Sequence, residues 1–345
     1  MLIDGLSTCT ACPLHENGFV VPGDGPVPAK IMIIGEAPGE EENWTGHPFV
    51  GRSGEELDRL LASAGIDRSK TYLSNVIKHW PGPANPTPNI KMIRACTPWL
   101  LKEIEIVNPD TIIAVGSIAA KVLMPTINLR KDHGVGRLVK ICGRERVLYP
   151  MYHPAAGMHA PKLLPIIRND FLNLGTVAKP PEVEIVYNFH FDPSKPLAVD
   201  LETTSLDTAT CSIVAVALSQ TPGQAMVLPP TDGIFYHIGQ YLRYGGVGLV
   251  VHNAAFDLPI LERYGVQIDY HRVFDTMISG YVLGNALALK QRALREHNIL
   301  METFEHAGDG EKDASKIPWE RLVPYAGSDA AQTLQFYYDD IQEIR

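Results

Sequence analysis

Val199-Asp-Leu-Glu-Thr-Thr-Ser-Leu-Asp207 continues an apolar run, Pro196-Leu-Ala-Val199, that reads as a buried strand. Side chains two apart on a strand share a face, so Asp200 and Glu202 point the same way. Like charges that close oppose each other's ionisation unless a cation neutralises them. The theme returns twice. Leu249-Val-Val-His-Asn-Ala-Ala-Phe256 is a second apolar run, followed by Asp257. In Tyr325-Ala-Gly-Ser-Asp329 a phenol and a carboxylate lie one helical turn apart on one face. A lone Asp-x-Glu is most often a solvated strand end; an acidic half either presents a solvated face or concentrates some carboxylates around cations.

The chain around these stretches has 345 residues, 45% hydrophobic and 20% charged. That is too apolar for disorder and longer than one core usually organises, so two domains are expected. No stretch of about 18 apolar residues occurs, which excludes a membrane helix, and Met1 to Glu16 lacks the apolar region of a signal peptide. Five cysteines, an odd number in a long chain, do not form a disulfide framework by count. A reducing compartment, the cytoplasm, is expected.

The net charge of −9 is unevenly spread: residues 1–180 hold 19 Lys/Arg and 17 Asp/Glu, residues 181–345 hold 11 and 22. The sign changes in Gly175-Thr-Val-Ala-Lys-Pro-Pro-Glu-Val-Glu184, whose paired prolines stiffen an extended connection. Domains over 1–178 and 184–345 follow. In the first, strands are predicted at 29–35, 71–77, 111–116 and 147–153, alternating with helices at 54–64, 90–107, 118–124 and 162–174. This is an α/β pattern whose functional residues belong beyond the C-terminal strand ends. In the second, strands are predicted at 197–201, 212–218 and 248–251, and helices at 257–264, 276–282 and 324–344. A run of Lys121, Arg130, Lys131, Arg137, Lys140, Arg144 and Arg146 reads either as a phosphate-contacting patch or as solvated surface.

Taken together, Val199 to Asp207, His252-Asn-Ala-Ala-Phe-Asp257 and Tyr325 to Asp329 resemble the three exonuclease motifs of the DEDD superfamily, in its tyrosine-type variant. Phe274-Asp-Thr-Met277 and Ser279-Gly-Tyr281 resemble that family's helix after the second motif. The resemblance implies a ribonuclease H-like fold and a 3′–5′ exonuclease acting on single-stranded 3′ ends of DNA. It places two Mg²⁺ or Mn²⁺ ions on Asp200, Glu202, Asp257 and Asp329, and an attacking water on Tyr325; hard oxygen donors suit such ions. Leu206 and Phe256 stand where the family packs the terminal nucleotide, core packing being an equal reading. Asn253 reads as a substrate contact or a turn residue.

In the first half, Gly35-Glu-Ala-Pro-Gly39 follows the first strand and lacks the Gly-Lys-Ser/Thr of a P-loop. With Pro48-Phe-Val-Gly51, Ser74-Asn-Val-Ile-Lys78 and His153-Pro154 it resembles family 4 uracil-DNA glycosylases, which implies an α/β/α sandwich. By that resemblance Phe49 stacks on a flipped base, Asn75 reads the uracil edge, His153 stabilises charge on the leaving uracil, and Glu36 and Glu42 shape the pocket. Asn43 stands where the family often has Asp, and Ala155 where Ser follows His-Pro; the usual Arg is not evident in Ala156-Gly-Met-His-Ala160.

Cys9-Thr-Ala-Cys12 is a ligand-type pair, and Cys96 lies in Arg94-Ala-Cys-Thr-Pro-Trp99. The family gathers two early and two later cysteines around a 4Fe–4S cluster, and His79 stands at the first later position. The resemblance therefore implies a cluster on Cys9, Cys12, His79 and Cys96, with a zinc ion on the same four residues or free thiols as alternatives. The order of the halves resembles the N-terminal part of phage-type family A DNA polymerases. It implies a polymerase domain beyond the C-terminus or as a separate partner, and the host cytoplasm as location. A bifunctional glycosylase–exonuclease and a non-catalytic DNA-binding platform are the alternatives.

Overall fold

The computed structural model describes residues 3–344 apart from 189, 246 and 309. The chain forms two compact units, Met1–Ala178 and Lys179–Arg345.

The first unit is built on a sheet ordered β2-β1-β3-β5-β4. Its strands are β1 (Ile31–Gly35), β2 (Thr71–Asn75), β3 (Thr111–Val115), β4 (Arg137–Ile141) and β5 (Arg144–Met151). All neighbours are parallel except the β4–β5 hairpin. Alternate side chains leave the sheet in opposite directions. Met32, Ile34, Ile112 and Ala114 pack with Leu100 and Ile104 of the Ile90–Val107 helix. Ile33, Ile113 and Val115 pack on the other side with Leu57, Leu60 and Leu61 of the Arg52–Ser63 helix and with Ile167 and Phe171. The result is an α/β/α sandwich, and β1, β2, β3 and β5 run where the apolar runs predict strands.

The hairpin strand β4 corrects the reading of the basic run as one surface. Arg137 and Arg146 are buried. Arg137 pairs with Asp132 at 2.6 Å, Arg146 donates to the Pro109 carbonyl, and Arg144 pairs with Asp110. These three guanidiniums brace the hairpin and its neighbouring loop.

The second unit carries a sheet ordered β11-β10-β7-β8-β9-β6, from β6 (Glu184–Ile185), β7 (Leu197–Thr203), β8 (Ile213–Ser219), β9 (Gln224–Leu228), β10 (Leu249–Val251) and β11 (Val273–Asp275). β7, β8 and β9 form an antiparallel meander, and β10 and β11 add in parallel beside β7. Leu197, Val199 and Leu201 face the core under the Asp232–Arg243 and Ala254–Arg263 helices. Ala198, Asp200 and Glu202 face the other way, toward the Trp319–Ile344 helix. Small Ala215 and Ala217 let that helix settle on the sheet through Tyr325, Ala326 and Ala330. This is a ribonuclease H-like arrangement. The short β6, β9 and β11 and the Asp232–Arg243 and Leu289–Glu296 helices were not predicted.

Candidate active sites

In the second unit three elements converge. Strand β7 supplies Asp200 and Glu202, and the long helix supplies Tyr325 and Asp329. Ligand atoms of Asp200, Glu202 and Asp329 all lie within 4.8 Å of one another. Position 327 on that helix is glycine: a Cβ there would meet Ile185 Cδ1 at 2.6 Å, so that side chain would have to shift. Glu202, Asp329 and Tyr325 are buried. Burial and the Asp329 charge raise Asp200 to about 7. Burial, then the Asp200 and Asp329 charges, push Glu202 well above the ordinary carboxylate range. Burial likewise raises Asp329, with Lys290 opposing. Carboxylates held together against such a penalty are a hard-oxygen donor set suited to Mg²⁺ or Mn²⁺.

Asp257 stands outside that group. It is buried beside Asp200, its Oδ1 accepting the Leu201 N–H at 3.2 Å. The turn before its helix is fixed by Asp275, whose carboxylate accepts N–H bonds from Asn253 (3.0 Å), Ala254 (2.8 Å) and Met277 (2.9 Å). Asn253 is that turn, with φ of 75° in the left-handed region that Asn tolerates. Phe256 packs against the apolar core, and Leu206 is 87% exposed on the loop after β7. Lys290, which the sequence reading missed, bonds both Asp329 oxygens at 3.0 and 3.2 Å and lies 3.8 Å over the Tyr325 ring.

In the first unit a cavity of about 210 Å³ is lined by Glu36, Glu42, Phe49, Asn75 and His153 together with Ala37, Gly39, Ser53, Asn85 and Ala155. It opens at the ends of β1, β2 and β5. Gly35 closes β1 because a Cβ would sit 2.4 Å from Asn75 Oδ1 and 2.7 Å from Phe49 Cζ. Behind Asn75 a fully buried ion pair pins the end of β2. Lys78 Nζ donates to Glu103 Oε2 (2.6 Å), Ser74 Oγ (2.6 Å) and the Asn75 carbonyl (2.8 Å). Glu42 accepts the Gly51 N–H at 3.1 Å, tying down the loop that presents Phe49. The rings of Phe49 and His153 are near parallel, 21° and 6.4 Å apart.

His153 caps the Pro154–His159 helix, its Nδ1 accepting the Ala155 N–H at 3.2 Å. Burial pushes its pKa down to about 4, with the Glu42 charge opposing. A neutral ring whose Nδ1 accepts must carry its proton on Nε2, so it donates from that nitrogen. Burial raises Glu36. Asn43 is not in the cavity: it is buried and its Oδ1 accepts the Phe19 N–H at 3.0 Å, so the departure at that position braces the N-terminal segment.

The cluster expectation is corrected. Among the described residues, Asp200, Glu202 and Asp329 are the one group of three or more His, Cys, Asp or Glu with converging ligand atoms; Cys9, Cys12, His79 and Cys96 form no such set, for iron–sulfur or for zinc. All five cysteines are free thiols. Cys12 and Cys96 are buried in the apolar core beside Leu100 and Ile104, where burial pushes the Cys96 thiol up to about 11. His79 is also buried, its Nδ1 without a partner. Spacing alone shows two cysteines three apart and a third on a helix; it does not show whether their ligand atoms converge.

Residues 22–173 match the uracil DNA glycosylase superfamily, and residues 183–343 match a 3′–5′ exonuclease family. The chain is 39% identical over 164 residues to the type-4 uracil-DNA glycosylase of Pyrobaculum aerophilum, covering 46% of this chain and 83% of that protein. It is 43% identical over 148 residues to that of Thermotoga maritima, covering 43% and 76%. A DNA polymerase of Bacillus phage SP01 is 24% identical over 378 residues, which span 91% of this chain and 40% of the polymerase.

Proposed function

The chain belongs to the type-4 uracil-DNA glycosylase family through its first unit, and with a 3′–5′ exonuclease unit behind it we propose that it is a proofreading exonuclease whose glycosylase-like unit grips DNA. The observation that carries this reading is the convergence of Asp200, Glu202 and Asp329 beside Tyr325. The three carboxylates, with Asp257 beside Asp200, would hold Mg²⁺ or Mn²⁺. Such ions supply a nucleophilic water at neutral pH and stabilise the leaving 3′ oxygen. Burial and the Asp329, Glu202 and Asp200 charges push the Tyr325 phenol far above its ordinary range. Tyr325 therefore stays protonated and orients the water by hydrogen bonding. Leu206, exposed on the loop after β7, and Phe256 would pack the terminal base, and Asn253 would contact the substrate from the turn before Ala254–Arg263.

The match to the phage polymerase spans both units in this order, which supports a role inside or beside a DNA polymerase. No helix among the described residues is long and apolar enough to cross a membrane; replication in the cytoplasm fits free thiols.

A formed pocket favours a second reading, uracil excision. Phe49 would stack on the flipped base, Asn75 would read its edge, and His153 would donate from Nε2 to the developing charge, with Glu36 and Glu42 shaping the wall. Digestion of 5′-labelled single-stranded DNA, with and without one uracil, followed by alkali, separates the readings. A ladder supports the exonuclease, a single break at uracil supports excision, and neither product overturns both.

A further inference from the structure

Lys290 occupies the place of a cation in the exonuclease site. It is the second residue of the Leu289–Glu296 helix, which Arg292 locks in place through the Thr276 carbonyl (2.9 Å), Asp340 (2.9 Å) and Glu296 (2.8 Å). From that fixed base its ammonium engages both oxygens of Asp329 and stacks over Tyr325, touching the two site residues that the long helix supplies. Among the described residues it is the one Lys or Arg ion-paired with Asp200, Glu202 or Asp329. Its side chain is 25% exposed, unlike that of the buried Lys78.

Each oxygen of a carboxylate keeps a further lone pair for a metal, but an ammonium and a divalent ion on one carboxylate repel each other, so the two compete. We propose that Lys290 is a resident cation that holds Asp329 and Tyr325 while the site is without metal and yields Asp329 when a divalent ion arrives, so that competition with this lysine sets the site's metal affinity. The inference rests on the reading of the three carboxylates as metal ligands.

The test is calorimetric titration of the full chain with Mn²⁺, without DNA. Lys290→Met should bind Mn²⁺ on the order of tenfold more tightly than the wild type, whereas Lys290→Arg, which keeps the charge, should stay near it. An Asp200→Ala/Glu202→Ala chain should lose the binding. If the wild type shows no binding that this double substitution removes, the metal-site reading and the inference fall together. If binding is lost in the double variant yet Lys290→Met binds no tighter, the inference alone is overturned. Should Lys290→Met not fold, reductive methylation of the wild type decides, read by peptide mass. Lys290 should react several-fold faster in saturating Mg²⁺ than in EDTA, and equal rates overturn the inference.

Discussion

Burial holds Tyr325 and Asp200 toward their protonated forms, and each has a measurable consequence. Tyr325 keeps its proton, so its contribution is its hydroxyl's geometry. Tyr325→Phe keeps the ring that Lys290 and Phe304 pack against. It should slow digestion on the order of a hundredfold while Mn²⁺ affinity stays unchanged; steady-state rates beside calorimetry check both. Asp200 rises from 3.8 to about 7. The folded, metal-free chain therefore holds a proton that the unfolded chain releases. Stability contributed there is fully present below about pH 4 and is lost progressively as pH rises from there through about 7. Asp200→Asn removes the slope: in EDTA its stability relative to the wild type should rise between pH 5 and pH 8 by on the order of 2 kcal/mol. Urea melts at the two pH values are the measurement, and saturating Mg²⁺ should restore the wild type at pH 8.

At the scale of elements, Asp275 joins β11, the turn at Asn253 and the start of the Thr276–Leu283 helix through three accepted N–H bonds. Asp275→Ala orphans all three and should cost about 1–2 kcal/mol, typical of a lost cap. Because the same turn places Asp257, digestion should slow as well; thermal melts and digestion rates test the pair of effects. The elements legible in the sequence were those with a pure period. β7 alternates apolar and acidic side chains, so the shared face of Asp200 and Glu202 could be read, and Tyr325 and Asp329 are one turn apart on any helix. Lys290 was not legible because Leu289–Glu296 is charged at half its positions and its apolar face is narrow. β4 hid among the basic residues of the β4–β5 hairpin: Arg137 of β4 pairs with Asp132, and Arg144 and Arg146 of β5 bind Asp110 and the Pro109 carbonyl. The cysteines misled for the opposite reason: their spacing fits a ligand set, but buried packing around Leu100 disposes Cys12 and Cys96 as core residues.

Across the whole molecule, one unit carries the pocket lined by Phe49, Asn75 and His153 and the other the carboxylate site suited to metal-dependent phosphodiester hydrolysis. The Ser and Arg that would grip flanking backbone are missing around Ala155 to Ala160. Extruding a nucleotide costs a few kcal/mol, and without those contacts the pocket should fill rarely. In an Asp200→Ala/Glu202→Ala background, single-turnover release of uracil should be absent or far slower than the wild type's digestion. Rapid release that is lost on His153→Ala would instead establish excision as a second activity. The central claim is that the second unit digests DNA from its 3′ end with these carboxylates. Its most direct measurement follows a 5′-labelled single strand, with and without phosphorothioates at its 3′ end, in Mg²⁺. The expected result is a ladder shortening from the 3′ end, arrested by the phosphorothioates and by EDTA and absent with Asp200→Ala/Glu202→Ala. Undiminished digestion by that double variant, or loss of the label from the 5′ end, would contradict it.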